Sequence, residues 1–431
     1  MTVSAPSPGL RAGAAKIDVT PEPLPERFRG VRDPVFVRAL VLDDGRTRAA
    51  LVSVDIIGLG TEVCTEVAAQ VAERYGIAAD HLLVSATHTH SVPDVLGARW
   101  ADAMVSAVGE AVAALRPAEL AVGTGRSAVN VNRNLFDAAT AQWREGRNDA
   151  GPSDQTVGVL RLTEPGGGVI AVVQHYAVHA VVTGMQDLIS ADLPGVATRH
   201  VEQALGDGAV SLWFSGCAGD QNPVFYQQTL DLRAHRIAAY NARGEDIANA
   251  MPPGGEGLDR DDPVVARLFG EQDRLVEAMG TVLGEEVIAV CRERCDRPLA
   301  DVRIGAAEQT VTLPGRRRTD TGRAGRPGTY VDAEPVPLRV GLLRLGDILL
   351  GHVDAELFTE IGQRWRREAP AKHAWILTLT GGRAPSGYVA SNTAGGYLTF
   401  EVLSSRLQPG HAEAAIVDAL ADLSARTAAV G

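Results

Sequence analysis

Cysteine is scarce in this sequence, long uncharged apolar runs are absent, and basic residues are outnumbered. Four cysteines in 431 residues (Cys64, Cys217, Cys291, Cys295) are too few for a disulfide scaffold. Cys291 and Cys295 lie in the helical stretch "AVCRERC" at a spacing that suits a metal, but no second pair accompanies them, so reduced structural thiols are expected. No stretch reaches the roughly 18 uncharged apolar residues that a membrane helix requires. The opening "MTVSAPSPGLRAGAAKIDVTPEP" has neither a charged leader nor an apolar core, which predicts no secretory signal and a cytoplasmic location. With 53 acidic against 41 basic residues, the net charge of −12 argues against a nucleic-acid partner, whose phosphates need a basic face. There is no internal repeat and no low-complexity linker.

What is present is a chain able to bury a large core: 45% of its residues are hydrophobic and the mean hydropathy is near zero. Length alone allows two or three units at roughly 150 residues each; we read residues 1–431 as one domain. "VFVRALVLDDG" and "RAALVSVDIIGLG" predict two strands joined by a turn at Asp43 to Arg46. Val63, Val67, Val71 and Tyr75 recur at helical spacing, with Gly76 as a stop. "HLLVSAT" reads as a buried strand, and Trp100, Met104, Val108, Val112 and Leu115 as the stripe of a second helix ended by Pro117. "GGVIAVVQHYAVHA" and "AVSLWFSGCAGD" read as buried strands running out into polar loops. We expect an irregular excursion over about 225–262, a long helix thereafter broken near Gly280 or Gly284, and an exposed Arg-rich loop at about 315–330. "PLRVGLLRLGDILLGHV" predicts a hairpin, "AWILTLTGG" a strand and "HAEAAIVDALADLSAR" a last amphipathic helix. Strands alternating with helices define an α/β protein.

The candidate chemistry sits at strand ends, where an α/β scaffold displays reacting groups. In "VSATHTHSVPD", His88 and His90 are two apart, and in extended chain both face one cleft. "HYAVHA" offers His175 and His179. A lone histidine is more often a satisfied core residue than a ligand, and two histidines still need a carboxylate to make a catalytic zinc site. Glu356 in "GHVDAELFTEIG" is available, although on spacing alone the reading of a carboxylate that favours the dipole of the following helix wins. On spacing alone, a His, His, Glu metal site and a set of structural residues both remain open.

The order of landmarks adds more. "AKIDVTP", "DPVFVRALVLDDG", "SVDIIGLG", "SATHTHS", "NVNRN", "HYAVHA", "ISADLPG", "FSGCAGDQNP", "DAELFTEIG" and "GYVAS…GGY" together resemble the catalytic domain of the neutral/alkaline non-lysosomal ceramidase family, from about Lys16 to Tyr397. The resemblance implies an α/β fold with a mixed β-sheet core and flanking helices. It implies a Zn2+ cofactor held by His88, His179, Glu356 and Tyr388, with His90, Arg133 and Tyr397 on the substrate side. Gly30 in "RFRGVRDP" is implied to line the site by its backbone, and Asp192, Asp220 and Gln221 are candidates for supporting or substrate contacts. The zinc would activate a water for attack on an amide carbonyl, with His90 as proton donor to the departing amine.

Departures from the family pattern shape the expected substrate. Gln221 in "GDQNP" stands where the family carries a substrate-contacting serine, Val92 replaces a glycine after the histidines and could narrow the cleft, and the family's C-terminal β-sandwich is not expected here. These predict a zinc amidohydrolase acting on a small soluble N-acyl compound rather than ceramide, with a homo-oligomer allowed. An esterase or lactonase, an enzyme running the acyl chemistry towards bond formation, and a non-catalytic binding protein are the alternatives.

Overall fold

The computed structural model describes residues 9–92, 97–206, 208–248, 251–295, 297–320 and 325–428. Three β-sheets share one core. The first is ordered Leu82–Ala86, Arg48–Val54, Phe36–Asp43, Arg11–Asp18, Arg116–Pro117. The second is ordered Val210–Ser215, Val169–Tyr176, Thr156–Thr163, Glu119–Arg126, and the third Ile304–Arg318, Tyr330–Leu345, Ile348–Val353, His373–Leu377.

Period-two alternation gives each sheet two buried faces. In the Phe36–Asp43 strand, Val37, Ala39 and Val41 meet helices, while Leu40 and Leu42 enter the central core with Leu160, Leu212, Leu343 and Trp375 from the other two sheets. Helices Thr61–Tyr75 and Gly97–Ala113 cover the outside of the first sheet. Asp192–Leu205 and Pro263–Ala289 cover the second, and Ala412–Ala428 the third. The hairpin, the Gly76 stop in left-handed conformation (φ 66°) and the expected strands are all found.

Most pairings are antiparallel, but each sheet holds one parallel pair spanned by a helix. Thr61–Tyr75 links strands 48–54 and 82–86, Asp192–Leu205 links 169–176 and 210–215, and Thr359–Glu368 links 348–353 and 373–377. These are three β-α-β units, whose strand ends form the usual place for a site. The ends are also stitched together. The backbone N–H of Thr378 donates to Ser215 O at 2.9 Å, that of Gly381 to Val84 O at 2.8 Å, and Ser215 Oγ donates to Thr87 O at 3.3 Å.

Three expectations about elements need correction. The long helix runs unbroken over Pro263–Ala289, capped by Asp262, whose carboxylate accepts the N–H groups of Val264 and Val265. Gly280 and Gly284 do not break it. They let it approach the Asp192–Leu205 helix, since a Cβ on Gly280 would stand 2.5 Å from Val196 Cβ and one on Gly284 2.9 Å from His200 Cδ2. The segment read as irregular contains a helix, Gln227–Asn241, which buries Leu232 against Val265, Leu268 and Phe269. Its burial of Arg236, whose Nη1 donates to Pro252 O at 2.5 Å, blurs the apolar stripe that marks a helix. Residues 315–318 of the Arg-rich piece extend a strand, paired across a bulge at Pro314, and residues 321–324 lie outside the described residues. Among the described residues no helix is long and apolar enough to cross a membrane.

Candidate metal centre

His88 lies just beyond the Leu82–Ala86 strand, where the chain leaves extended geometry: its φ is +70°. A left-handed non-glycine residue costs of order 1–3 kcal/mol and persists where its surroundings over-determine it. Here His88 N donates to Ile56 O at 2.9 Å and its Nδ1 bonds Ile57 O at 2.7 Å. The His88 and His90 rings come together, centroids 4.8 Å apart, around this kink rather than by strand alternation.

His179 follows the Val169–Tyr176 strand and is fully buried. Its backbone N–H donates to Gln221 O at 3.2 Å, and its Nδ1 bonds Ala218 O at 2.7 Å. A carbonyl can only accept, so Nδ1 carries a proton in both rings, and in the neutral imidazole Nε2 then presents a lone pair. Those two Nε2 atoms lie 3.2 Å (His88) and 3.3 Å (His179) from a single oxygen, Glu356 Oε2. Both Glu356 Oε2 and His179 Nε2 are buried without a hydrogen-bond partner. Three acceptors facing one another in a buried pocket call for a cation, and the nitrogen–oxygen donor set is one that zinc takes.

Charge supports this picture. Burial, then the nearby Arg133 guanidinium, push the His179 imidazole down to about 4, so it is neutral near pH 7.

His90 completes a buried trio with His88 and His179 whose ring nitrogens lie within 4.8 Å of one another. It is the one member that is only partly buried. Its Nε2 is 3.4 Å from His88 Nε2. Burial, followed by His88 and His179, pushes its pKa well below the usual value, so the resting imidazole is neutral and not a ready proton donor.

Tyr388 reaches the centre through a two-residue parallel ladder in which Glu356 pairs with Tyr388 and Leu357 with Val389. Its ring stacks near His179, with centroids 6.3 Å apart. Arg133, in strand Asn130–Asp137, lies with Cζ 5.5 Å from the Tyr388 ring centroid. Tyr397 is partly buried and stacks on Trp143, centroids 4.0 Å apart.

The supporting candidates fall in different places. Asp192 is buried and closes the loop after His179, its carboxylate accepting the N–H groups of Val182, Thr183 and Leu193. Asp220 bonds no imidazole: it accepts Thr359 N at 2.9 Å and Asn132 Nδ2 at 3.0 Å, tying the helix after Glu356 to the Arg133 strand. Burial raises its pKa to about 7. The Gln221 side chain turns to Ser153 Oγ (2.6 Å) and Pro152 O (2.9 Å). Gly30 pairs with Leu188 in a short parallel ladder, and His175 belongs to the core, stacked on Trp375. Val92 is packed in the hydrophobic core rather than on the cleft, and Pro93 and Asp94 lie outside the described residues. Sequence reading missed Glu401, which pairs with Arg133, and Arg383, whose Nη2 is 3.9 Å from Glu356 Oε1. Neither sits in a motif or at a strand end of the β-α-β units.

Three β-α-β units that bring two imidazoles and a carboxylate to one point define an α/β protein with a candidate metal centre. Residues 24–228 match the family described as neutral/alkaline non-lysosomal ceramidase, N-terminal. Over this span the chain is similar to the neutral ceramidases, the resemblance its landmarks suggested. Neutral ceramidase of Drosophila pseudoobscura pseudoobscura is 25% identical over 286 residues, and that of Drosophila melanogaster 26% identical over 286 residues. Each alignment covers 57% of this chain and 40% of the relative, so the match spans less than half the length of those proteins. The crystal structure of neutral ceramidase from Pseudomonas aeruginosa shares the fold, with a TM-score of 0.69 at 17% identity over 97% of this chain and 75% of that one. A ceramidase complexed with C2 gives a TM-score of 0.70 at 17% identity, covering 96% and 75%.

Proposed function

We propose that this protein is a zinc-dependent hydrolase of amide bonds in small N-acyl compounds. The observation that carries the reading is the convergence of His88 and His179 Nε2 on the buried Glu356 Oε2, at 3.2 and 3.3 Å. His88, His179 and Glu356 would hold the ion, with Tyr388 beside them. A zinc ion bound there supplies Lewis acidity towards a carbonyl and lowers the pKa of water towards about 7.

The chain's own groups complete the chemistry. The carbonyl oxygens of Ile57 and Ala218 lock both imidazoles in the tautomer that offers Nε2 to the ion. His90, neutral and at the less buried side of the trio, is placed to accept a proton from the attacking water and return it to the departing amine. Tyr397, partly exposed beyond Tyr388, would meet substrate. The relatives are ceramidases by name, and ceramide is itself an N-acyl amide. The loss of the serine at Gln221, whose side chain turns into the wall, favours a different acyl compound here.

The test combines metal analysis of the purified chain with amine release from matched N-acyl amides and esters, short-chain ceramide included. Zinc at one per chain and amide turnover lost in His88→Ala support the reading. Turnover that survives complete metal removal overturns it, and faster cleavage of esters than of the paired amides shifts it to esterase chemistry.

A further inference from the structure

The resemblance implies a substrate-side arginine at Arg133, but its guanidinium is held inside the protein. Nε pairs with Glu401 Oε1 at 2.7 Å, Nη2 donates to Gly219 O at 2.7 Å and Nη1 to Asn222 Oδ1 at 3.3 Å. The Arg133 and Glu401 side chains are only 7% and 5% exposed, which leaves little room for a substrate anion. The remaining contact is with Tyr388, whose ring centroid lies 5.5 Å from the guanidinium carbon. Glu401 sits on the short helix Phe400–Ser404, which holds Tyr388 from a second side. The Phe400 ring packs edge-on against Tyr388 with centroids 6.2 Å apart, and Ser405 Oγ donates to Tyr388 O at 2.7 Å.

A buried ion pair is seldom a net source of stability, because desolvating two charges offsets most of their attraction. It does fix geometry: a guanidinium held at three points can place a fourth partner closely. We propose that Glu401 and Arg133 form a positioning pair that fixes the Tyr388 hydroxyl beside the metal centre, so that Arg133 acts through the tyrosine and not on the substrate. This rests on the reading of His88, His179 and Glu356 as metal ligands. It adds Glu401, a residue outside every motif, to the group that sets metal affinity.

The experiment measures zinc affinity of the full chain by chelator competition in wild type, Glu401→Gln, Glu401→Asp, Tyr388→Phe and the Glu401→Gln/Tyr388→Phe double variant. We expect Glu401→Gln to weaken binding by about 10-fold or more, the usual scale for a group supporting a ligand. Glu401→Asp restores part of the affinity, and the double variant binds no worse than Tyr388→Phe alone. An equal loss from Glu401→Gln in both backgrounds, or no loss in wild type, overturns the proposal. If Glu401→Gln fails to fold, Arg133→Met/Glu401→Leu removes both buried charges together and takes its place in the same comparison. A second readout needs no metal: in chain labelled with fluorotyrosine, the 19F resonance missing from Tyr388→Phe is that of Tyr388. The proposal requires that resonance to shift in the Glu401 variant; an unmoved resonance refutes the pair's hold on the tyrosine. A chain that binds no zinc while the resonance shifts as expected refutes the metal reading and leaves the pair's hold on Tyr388 standing.

Discussion

Glu356 and Tyr388 are register partners in a parallel ladder of two residues, although a helix, a strand and a long loop separate them in the chain. This pairing sets a carboxylate and a phenol side by side while His88 and His179 reach the same carboxylate oxygen from two other sheets.

Removal of a ring that faces Glu356 should cost metal, and removal of His90 should not. His88→Ala and His179→Ala are expected to weaken zinc binding by at least about 100-fold, above the 10- to 100-fold range seen for supporting groups. His90→Ala should retain metal and lose turnover. Equal metal loss in the His88 and His90 variants, measured by elemental analysis after dialysis, would show that the carboxylate does not separate their roles.

Metal should also stabilise the fold, because the ligands converge only in the native chain. At free zinc 100 times the Kd, the expected gain is about 2.7 kcal/mol. It should appear as a rise in thermal midpoint that chelator reverses. In Glu356→Gln the rise should shrink towards zero; an undiminished rise places the stabilising ion elsewhere.

Acid should destabilise the protein through two buried histidines outside the candidate metal centre. Burial pushes His175 and His352 down to about 4, with Arg339 adding to the effect at His352. An unfolded histidine titrates near 6.5, so below that pH the unfolded chain binds protons that the folded chain refuses. Stability is therefore complete above about 6.5 and falls as the pH drops towards 4, by up to about 1.4 kcal/mol per pH unit for each ring. Urea titrations across this range should give a slope shallower by about one proton in His352→Asn; identical slopes would mean that His352 does not stay neutral.

Two glycines of one helix should respond in opposite directions. Gly280→Ala places a methyl 2.5 Å from Val196 Cβ and should cost about 1–3 kcal/mol by overpacking. At Gly270 the nearest atom is the flexible end of Arg274 at 3.5 Å, and alanine there should stabilise by about 0.5–1 kcal/mol through helix propensity. Denaturant midpoints of the two variants check this, and a neutral Gly280→Ala would show that the helices can part at no cost.

Elements with clean periodicity were legible from residues alone. The Val67 and Val71 stripe with its Gly76 stop, and the hairpin turning at Asp43 to Arg46, are found where the pattern put them. The Gln227–Asn241 helix was not, because it buries an arginine and so lacks an apolar stripe. The glycines of the long helix pointed to a break because their partner helix is invisible in sequence. In the site, the histidines and Glu356 could be named, but what orients them could not: the partners of both Nδ1 atoms are backbone carbonyls, which any residue provides. Glu401 was missed for a related reason, since a carboxylate on a one-turn helix carries no signature until Arg133 is seen against it.

The three β-α-β units have a consequence for how the chain matures. Each contributes a single group to the centre, from the first, second and third sheet in turn. A nascent or half-assembled chain therefore owns at most isolated side chains with weak grip on an ion. On the proposed metal reading, high-affinity capture would begin only once all three sheets have docked, so metal retention through a chelating wash would separate finished molecules from stalled ones during refolding.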